Sequence, residues 1–221
     1  MKYATSLGLT VLLLSSAVTA DTLRVTPGKA HRLPEMFSNL KDGDRVVFER
    51  GTYRTHRALT VSGLKNITLE GEGRVEVVLS NLDDPVFAVK GSERVQIKNL
   101  KARHQKPNEE YACEGAVVEV RDSQQVGVTG CSLDGCGAAG VYAMGVKDLV
   151  VFDNTIFNNS FAAVWAYDTT GMVRRNRMHD NAADLITGGQ TEVILLENEI
   201  EDNEGNDFLQ TDWARSLTEE D

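Results

Sequence analysis

The sequence predicts an all-β fold: one chain wound into a single-stranded parallel β-helix of about seven rungs, with a short helix capping its N-terminal end. Three observations carry this expectation. A phrase of eight residues recurs as Val126-Gly-Val128-Thr-Gly-Cys131-Ser-Leu133, Leu149-Val-Val151-Phe-Asp-Asn154-Thr-Ile156, Gly171-Met-Val173-Arg-Arg-Asn176-Arg-Met178 and Val193-Ile-Leu195-Leu-Glu-Asn198-Glu-Ile200. Its pivots, Cys131, Asn154, Asn176 and Asn198, are spaced by 23, 22 and 22 residues, and a second series, Cys136, Asn159, Asn181 and Asn203, holds the same register five residues later. Within each phrase apolar and polar residues alternate, the period of a half-buried strand.

A coil of three short strands per turn accounts for this period. A lone rung cannot bury its apolar face, so stability requires stacking. Asn suits the corners, because it tolerates left-handed backbone angles and its amide can bond backbone groups. On rungs stacked ~4.8 Å apart, like amides can also bond one another along the axis. A leucine-rich repeat would need a Leu-rich consensus and a helical half, and neither is present.

Upstream the rungs are looser. Ile67-Thr-Leu69 and Val95-Gln-Ile97 open turns at intervals of 28 residues to Val95 and 31 to Val126. Met36, Phe37 and Leu40 give a short amphipathic helix that Gly43 stops, placed to plug the end of the coil. The run Lys41-Asp-Gly-Asp44, Glu49-Arg-Gly-Thr-Tyr53 and Lys65-Asn-Ile-Thr-Leu69-Glu-Gly71 resembles the opening of pectin-lyase-like right-handed β-helix proteins. The Asn-marked coils resemble the parallel β-helix repeats of that superfamily, and the likeness covers roughly residues 23–210. It implies a right-handed coil and does not imply one activity, because the fold carries many chemistries.

The N-terminus carries its own signal. Lys2, an apolar stretch and Val18-Thr19-Ala20 before Asp21 describe a signal peptide over residues 1–20, too short to span a bilayer. The remainder, 21–221, forms one domain: a cap at about 30–43, the coil at about 44–210 and an acidic tail or lid at 211–221 in which Trp213 and Leu217 could close the last rung. The protein is therefore expected to be secreted or periplasmic, without a membrane span. A net charge of −10 with scattered basic residues argues against a nucleic-acid partner, since phosphate binding needs clustered Lys and Arg.

By the resemblance, the Asn corner lies between the second and third sheets, and the strand after the second ladder belongs to the first sheet, whose outer face often carries substrate grooves. Alternation then places Glu119, Tyr142, Trp165, Thr187 and Leu209 in one outer column. Arg121, Met144, Tyr167, Gly189 and Thr211 form the next. Tyr142, Met144, Trp165 and Tyr167 make an aromatic patch whose flat rings suit the apolar faces of sugars, and Glu119 with Arg121 can read hydroxyls or a carboxylate. The alternatives are an ordinary sheet stabilised by stacked aromatics, or a patch covered by a loop or a second copy; a monomer is expected, with any dimer formed through this face. The insertion His104-Gln-Lys-Pro107-Asn-Glu-Glu110-Tyr111-Ala-Cys113-Glu114 walls the patch, bringing Glu109, Glu110 and Tyr111 as contact candidates.

Three cysteines allow at most one internal disulfide. Cys113 lies 23 residues before Cys136, one rung earlier at the matching corner, so Cys113–Cys136 is the expected bridge, with Cys131 buried and free; small buried fillers at all three is the alternative. No CxxC or Cys/His cluster suggests zinc. Asp180 over Asp202 places like charges on adjacent rungs, where calcium could bridge them or solvent could screen them. His179 shares its column with Asp134, Phe157 and Glu201, which favours a structural role over acid/base chemistry.

The functional expectation is polysaccharide binding at the aromatic face. A polysaccharide lyase or uronan epimerase on the same face would draw on Arg121, Glu119 and Tyr167, with Lys147 on an adjoining turn, but the stacked acids of pectate lyases are missing, as are the paired Asp and Gly-His-Gly phrases of polygalacturonases and the Asp-Pro-His-Asp phrase of alginate epimerases. A noncatalytic protein-docking β-helix is the third reading.

Overall fold

The computed structural model describes residues 20–106 and 113–203, with the backbone of Leu209 and Gln210. Residues 1–19 of the stretch expected to be a signal peptide, Tyr111 with its neighbours Glu109 and Glu110, and the tail with Trp213 and Leu217 lie outside the described residues. The chain winds through three parallel sheets. Sheet A has eight strands, from Thr22–Val25 to Glu192–Leu196; sheet B has seven, from Gly51–Thr55 to Glu199–Glu201; sheet C has seven, from Leu59–Ser62 to Leu209–Gln210. The coil thus runs to about eight turns, close to the expected seven. The extra strand is Thr22–Val25, which precedes the cap and pairs with Arg45–Phe48.

Each apolar position sits on its counterpart one rung away. One inward column of sheet A runs Val46, Leu69, Ile97, Val128, Val151, Val173 and Leu195. All but Leu195 are buried, and the core is one continuous cluster. The N-terminal cap is a 3-10 turn, Pro27–Arg32, followed by the helix Leu33–Ser38. Leu33, Phe37 and Leu40 join the core, so the helix closes the end of the coil. Gly43 then takes φ +88°, which an L side chain rarely adopts.

The Asn ladders form along the axis. Asn154 Nδ2 donates to Asn176 Oδ1 at 2.9 Å and Asn176 Nδ2 to Asn198 Oδ1 at 3.0 Å. Asn159 to Asn181 and Asn181 to Asn203 repeat this at 2.7 and 3.1 Å. The same Oδ1 atoms accept backbone N–H groups of the preceding rung, as Asn198 Oδ1 does from Asn176 N at 2.9 Å. The left-handed residue, however, is the one before each Asn: Asp153, Arg175 and Glu197 in one series and Asn158, Asp180 and Asp202 in the other. Amide bonding, rather than tolerance of positive φ, therefore fixes Asn in the ladder.

A third ladder, of hydroxyls, marks the corner from sheet C to sheet A. Ser92 Oγ accepts from Leu64 N, Ser123 Oγ from Ser92 N, Thr169 Oγ1 from Val146 N and Thr191 Oγ1 from Thr169 N, at 3.1–3.3 Å. Corner lengths from A to B and from C to A vary little. The long intervals fall at the corner from B to C, where residues 80–86 and 105–117 separate flanking strands. The Cys113–Cys136 disulfide spans this corner with Cα atoms 5.6 Å apart, and Cys131 is free and buried.

Two stability measurements follow. Asn176→Ala removes bonds to Val151 O and Asn198 while orphaning Asn154 N–H, and should cost about 3 kcal/mol in urea unfolding, against about 1 kcal/mol for Asn203→Ala in the second ladder, where the half-buried Asn203 lets water replace part of the bonds it makes to Asn181 and Met178. Reducing the disulfide, which joins residues 23 apart, should lower the unfolding free energy in chelator-containing buffer by about 3 kcal/mol.

Candidate functional site: the outer face of sheet C

Strand alternation sets this face. Register places Thr60, Ala88, Glu119, Tyr142, Trp165 and Ile186 in one outer column, with the backbone of Leu209 paired to Ile186, and Ser62, Lys90, Arg121, Met144, Tyr167 and Gly188 in the next. The expected columns hold through Trp165 and Tyr167 and then slip. Leu185, not Ile186, pairs with Val164, so Thr187 turns inward and is buried, and Gly188 rather than Gly189 stacks on Tyr167. The turn after Asn181 is one residue shorter than the turn after Asn159, and a one-residue change inverts the alternation. Ile186 is thereby placed beside Trp165 in a small outer cluster with Ala162 and Ala183.

The aromatic side chains are in contact. Tyr142 and Trp165 have ring centroids 4.7 Å apart at 46°, and Phe161 meets Trp165 edge-on at 4.8 Å. Trp165 and Tyr142 are half-buried, whereas Phe161 and Tyr167 expose 42% and 41% of their surface. Met144 bridges toward the polar part, accepting from the Tyr142 hydroxyl at 3.4 Å and from Arg121 Nη1 at 3.2 Å. The Arg121 guanidinium also lies 4.9 Å from the Tyr142 ring centroid.

Next to the rings lies a charge cluster. Glu119 Oε1 is 3.1 Å from Arg121 Nε and 3.2 Å from Lys90 Nζ. Burial pushes the Glu119 carboxyl up, but hydrogen bonds and charge from Arg121 and Lys90 outweigh it, and its pKa falls below the ordinary 4.5. The Glu119 hydrogen bond in turn raises Arg121. Glu119 is therefore an ionised acceptor and not a proton donor at neutral pH. Two cations around one anion leave a surplus positive charge on a protein whose net charge is −10.

Sequence reasoning missed Lys90 and Phe161. Lys90 ends the strand Phe87–Lys90 in a looser rung, and Phe161 precedes the repeating strand by one residue. Lys147, expected on a turn adjoining this face, lines a groove of about 410 Å³ at the corner leaving sheet C, with Gly91, Ser92, Asp122 and Gln124. Of the other residues considered, Asp180 and Asp202 are exposed corner residues in left-handed conformation, and Asp180 Oδ2 bonds His179 Nδ1 at 2.6 Å. His179 stacks on Phe157 at 5.0 Å, in the column expected for it. Arg177 stacks on Glu199 in register, and the ion pairs formed nearby are Arg174–Glu197 and Arg177–Glu201. His104 reaches the disulfide: it is buried, Nε2 lies 2.8 Å from Asp84 O, and burial lowers its pKa against the pull of Asp84.

The wider comparisons agree with this architecture. Residues 63–219 match the family of the right handed beta helix region. The chain belongs to that family. No curated protein matches it in sequence. Among solved structures it is similar to ORF18 of Geobacillus virus E2, with a TM-score of 0.66 and 13% identity over 80% of this chain and 42% of that one. It is also similar to a pectin methylesterase in complex with a hexasaccharide, with a TM-score of 0.60 and 11% identity over 84% of this chain and 67% of that one. The major allergen of cedar pollen gives a TM-score of 0.54 and 16% identity, covering 79% and 58%. The chain spans under half of the viral protein, and identities this low speak for the fold alone, that of the pectin-lyase-like right-handed β-helix. Among the described residues, no helix is long and apolar enough to cross a membrane. The disulfide fits a non-cytoplasmic location.

Acid should destabilise the fold through Glu119. A lowered folded pKa means that its stabilisation is present above the unfolded value and lost as pH falls through the folded one. The unfolding temperature should hold from neutral pH down to about 5 and fall once the pH is below the ordinary carboxylate value of 4.5, and Glu119→Gln should show a smaller drop. The drop should not vanish, because a hydrogen bond from Arg103 also holds Glu76 low against burial.

Proposed function

We propose that this protein is exported and binds an acidic polysaccharide along the outer face of sheet C. The observation that carries this reading is the continuity of the Tyr142–Trp165–Phe161 ring cluster, with Met144 and Tyr167 beside it, and the Lys90–Glu119–Arg121 cluster. The rings present apolar surface to the C–H faces of a sugar. The surplus cation one rung away can pair with a uronate carboxylate, and charge-assisted bonds of this kind are the stronger ones. Rungs spaced ~4.8 Å apart present these groups at intervals that successive sugars of one chain could sample. Two carbohydrate-linked observations support the reading: the exposure of the rings, and similarity in fold to a pectin methylesterase whose structure holds a hexasaccharide.

Binding is favoured over lyase or epimerase chemistry by the state of Glu119. Such a reaction needs a base for the C5 proton and an acid for the leaving oxygen. Glu119 is held ionised by two cations, and Arg121 is engaged with it, so this pair can bind and neutralise but does not supply a proton donor. Lys147 stands around the corner. Tyr111 would extend the wall of the face and is proposed as a contact on the strength of its place in the insertion.

A glycan array with the mature protein tests this. Retention of acidic polymers is expected, weakened by increasing salt. Trp165→Ala should weaken it roughly tenfold, the scale of one lost aromatic contact. Arg121→Ala should reduce binding of acidic but not neutral glycans. Absorbance from a new C4–C5 double bond would establish a lyase instead. A concentration-dependent dimer broken by Tyr167→Ala, with no glycan retained, would establish a docking face.

A further inference from the structure

The corner that carries the disulfide gathers more metal-ligand chemistry than a structural bridge requires. A ring nitrogen of His104 and the sulfurs of Cys113 and Cys136 all lie within 4.8 Å of one another, the sole grouping of three such ligands found among the described residues. His104 and Cys113 are 3% and 5% exposed, while Cys136 is half-buried, leaving one side open to solvent. His104 Nε2 is positioned to donate its hydrogen to Asp84 O, and Nδ1 is then a buried acceptor without a hydrogen-bond partner.

That pattern is the arrangement a metal-binding imidazole uses. A ligating His commonly donates one ring N–H to a backbone carbonyl, which fixes the tautomer and aims the other lone pair at the ion. The enclosure is tight as well: a Cβ on Gly115 would sit 2.9 Å from His104 Nε2 and closer still to Asp84 O. We propose that, when the disulfide is reduced, Cys113, Cys136 and His104 form a zinc site.

Thiolate and imidazole are the ligand types zinc selects, with bonds of ~2.3 and ~2.0 Å, so ligand atoms stand about 3.5–3.8 Å apart. The two cysteine Cα atoms, 5.6 Å apart on stacked rungs, leave room for the sulfurs to separate by about 2 Å without moving the strands. Water from the open side supplies a fourth ligand. In the forward step the S–S bond breaks by taking two electrons from a dithiol, which gives up its two protons and closes to its own disulfide, or from a phosphine, which becomes the phosphine oxide with the oxygen of the water that supplies the two protons. Both thiol protons then pass to solvent as the two Zn–S bonds form, and zinc keeps its charge state throughout. The corner thus has two closed states, bridged by sulfur or by metal, and both tie the 105–112 insertion to the coil.

The full mature chain, reduced with a phosphine and handled without oxygen, should take up one equivalent of cobalt(II), with thiolate-to-cobalt charge-transfer absorption in the near ultraviolet. Zinc should displace the cobalt and raise the unfolding temperature of the reduced protein but not of the oxidised one. His104→Ala should weaken cobalt binding at least about tenfold, and Cys113→Ser combined with Cys136→Ser should abolish the absorption band. Oxidised His104→Ala unfolding close to the oxidised wild type keeps the comparison valid. If that variant fails to fold, the double serine variant and the reduced-versus-oxidised contrast decide. No stoichiometric band in the reduced protein, an equal band in the oxidised protein, or undiminished binding without the imidazole would overturn the proposal.

Discussion

Axial stacking at fixed register governs this protein. Each rung contributes three short strands that cannot bury their apolar sides alone, and each becomes stable only when its side chains meet identical positions one rung away. The inward column from Val46 to Val173 satisfies that requirement with small branched residues. The amide ladders satisfy a second one. At a sharp corner the strands' hydrogen bonds are interrupted, and an Asn whose Oδ1 takes a backbone N–H while its Nδ2 reaches a backbone carbonyl and the next amide closes the gap. Because the bonds run from rung to rung, a residue added at an Asn corner would break the ladder on both sides. The hydroxyl ladder constrains the corner from sheet C to sheet A in the same way, with shorter side chains.

The corner from sheet B to sheet C is the exception, and it is there that variation collects. Its early turns have no Asn ladder, and their backbone is held by other means. Asn81 Nδ2 donates to Asp84, Glu114 N and Gly115 N donate to Leu82 O, and the disulfide joins this turn to the next rung. A corner freed from the amide ladder can lengthen, and it borders the face whose rings and charges are candidates for binding. The scaffold thus concentrates chemical novelty on one edge of one sheet while the remaining corners stay fixed.

How much of this was legible in the sequence follows from the same distinction. The Asn ladders, the disulfide and the columns through Trp165 could be read because their intervals of 22 or 23 residues are constant. The hydroxyl ladder was legible in principle, since Ser123 to Thr169 is two rungs and Thr169 to Thr191 one, but Val146 interrupts it and three residue types share the position. The slip after Asn181 was not legible. Ile186 and Thr187 are both β-branched, either could face inward, and only the length of an irregular turn decides which. His104 was hidden for another reason: its partners are a carbonyl 20 residues back and a disulfide formed across rungs, neither of which leaves a local pattern.

The slip also shapes the candidate site. Had Thr187 faced outward, Trp165 would have had a small polar neighbour on its C-terminal side. With Ile186 there instead, and Ala162 and Ala183 beside it, Trp165 is partly packed into an apolar cluster outside the coil. A ring held in this way loses few rotamers on contact with a ligand, so less conformational entropy opposes binding. Gly188 beside Tyr167 has the opposite effect, adding no side chain next to an already exposed ring. Trp165 is therefore the anchored member of the face and Tyr167 the accessible one. The polar end is held as firmly, because Glu119 fixes Arg121 while Arg121 spans Met144 and the Tyr142 ring. Apolar and charged halves meet at Tyr142, where rigid surface of both kinds lies within two rungs.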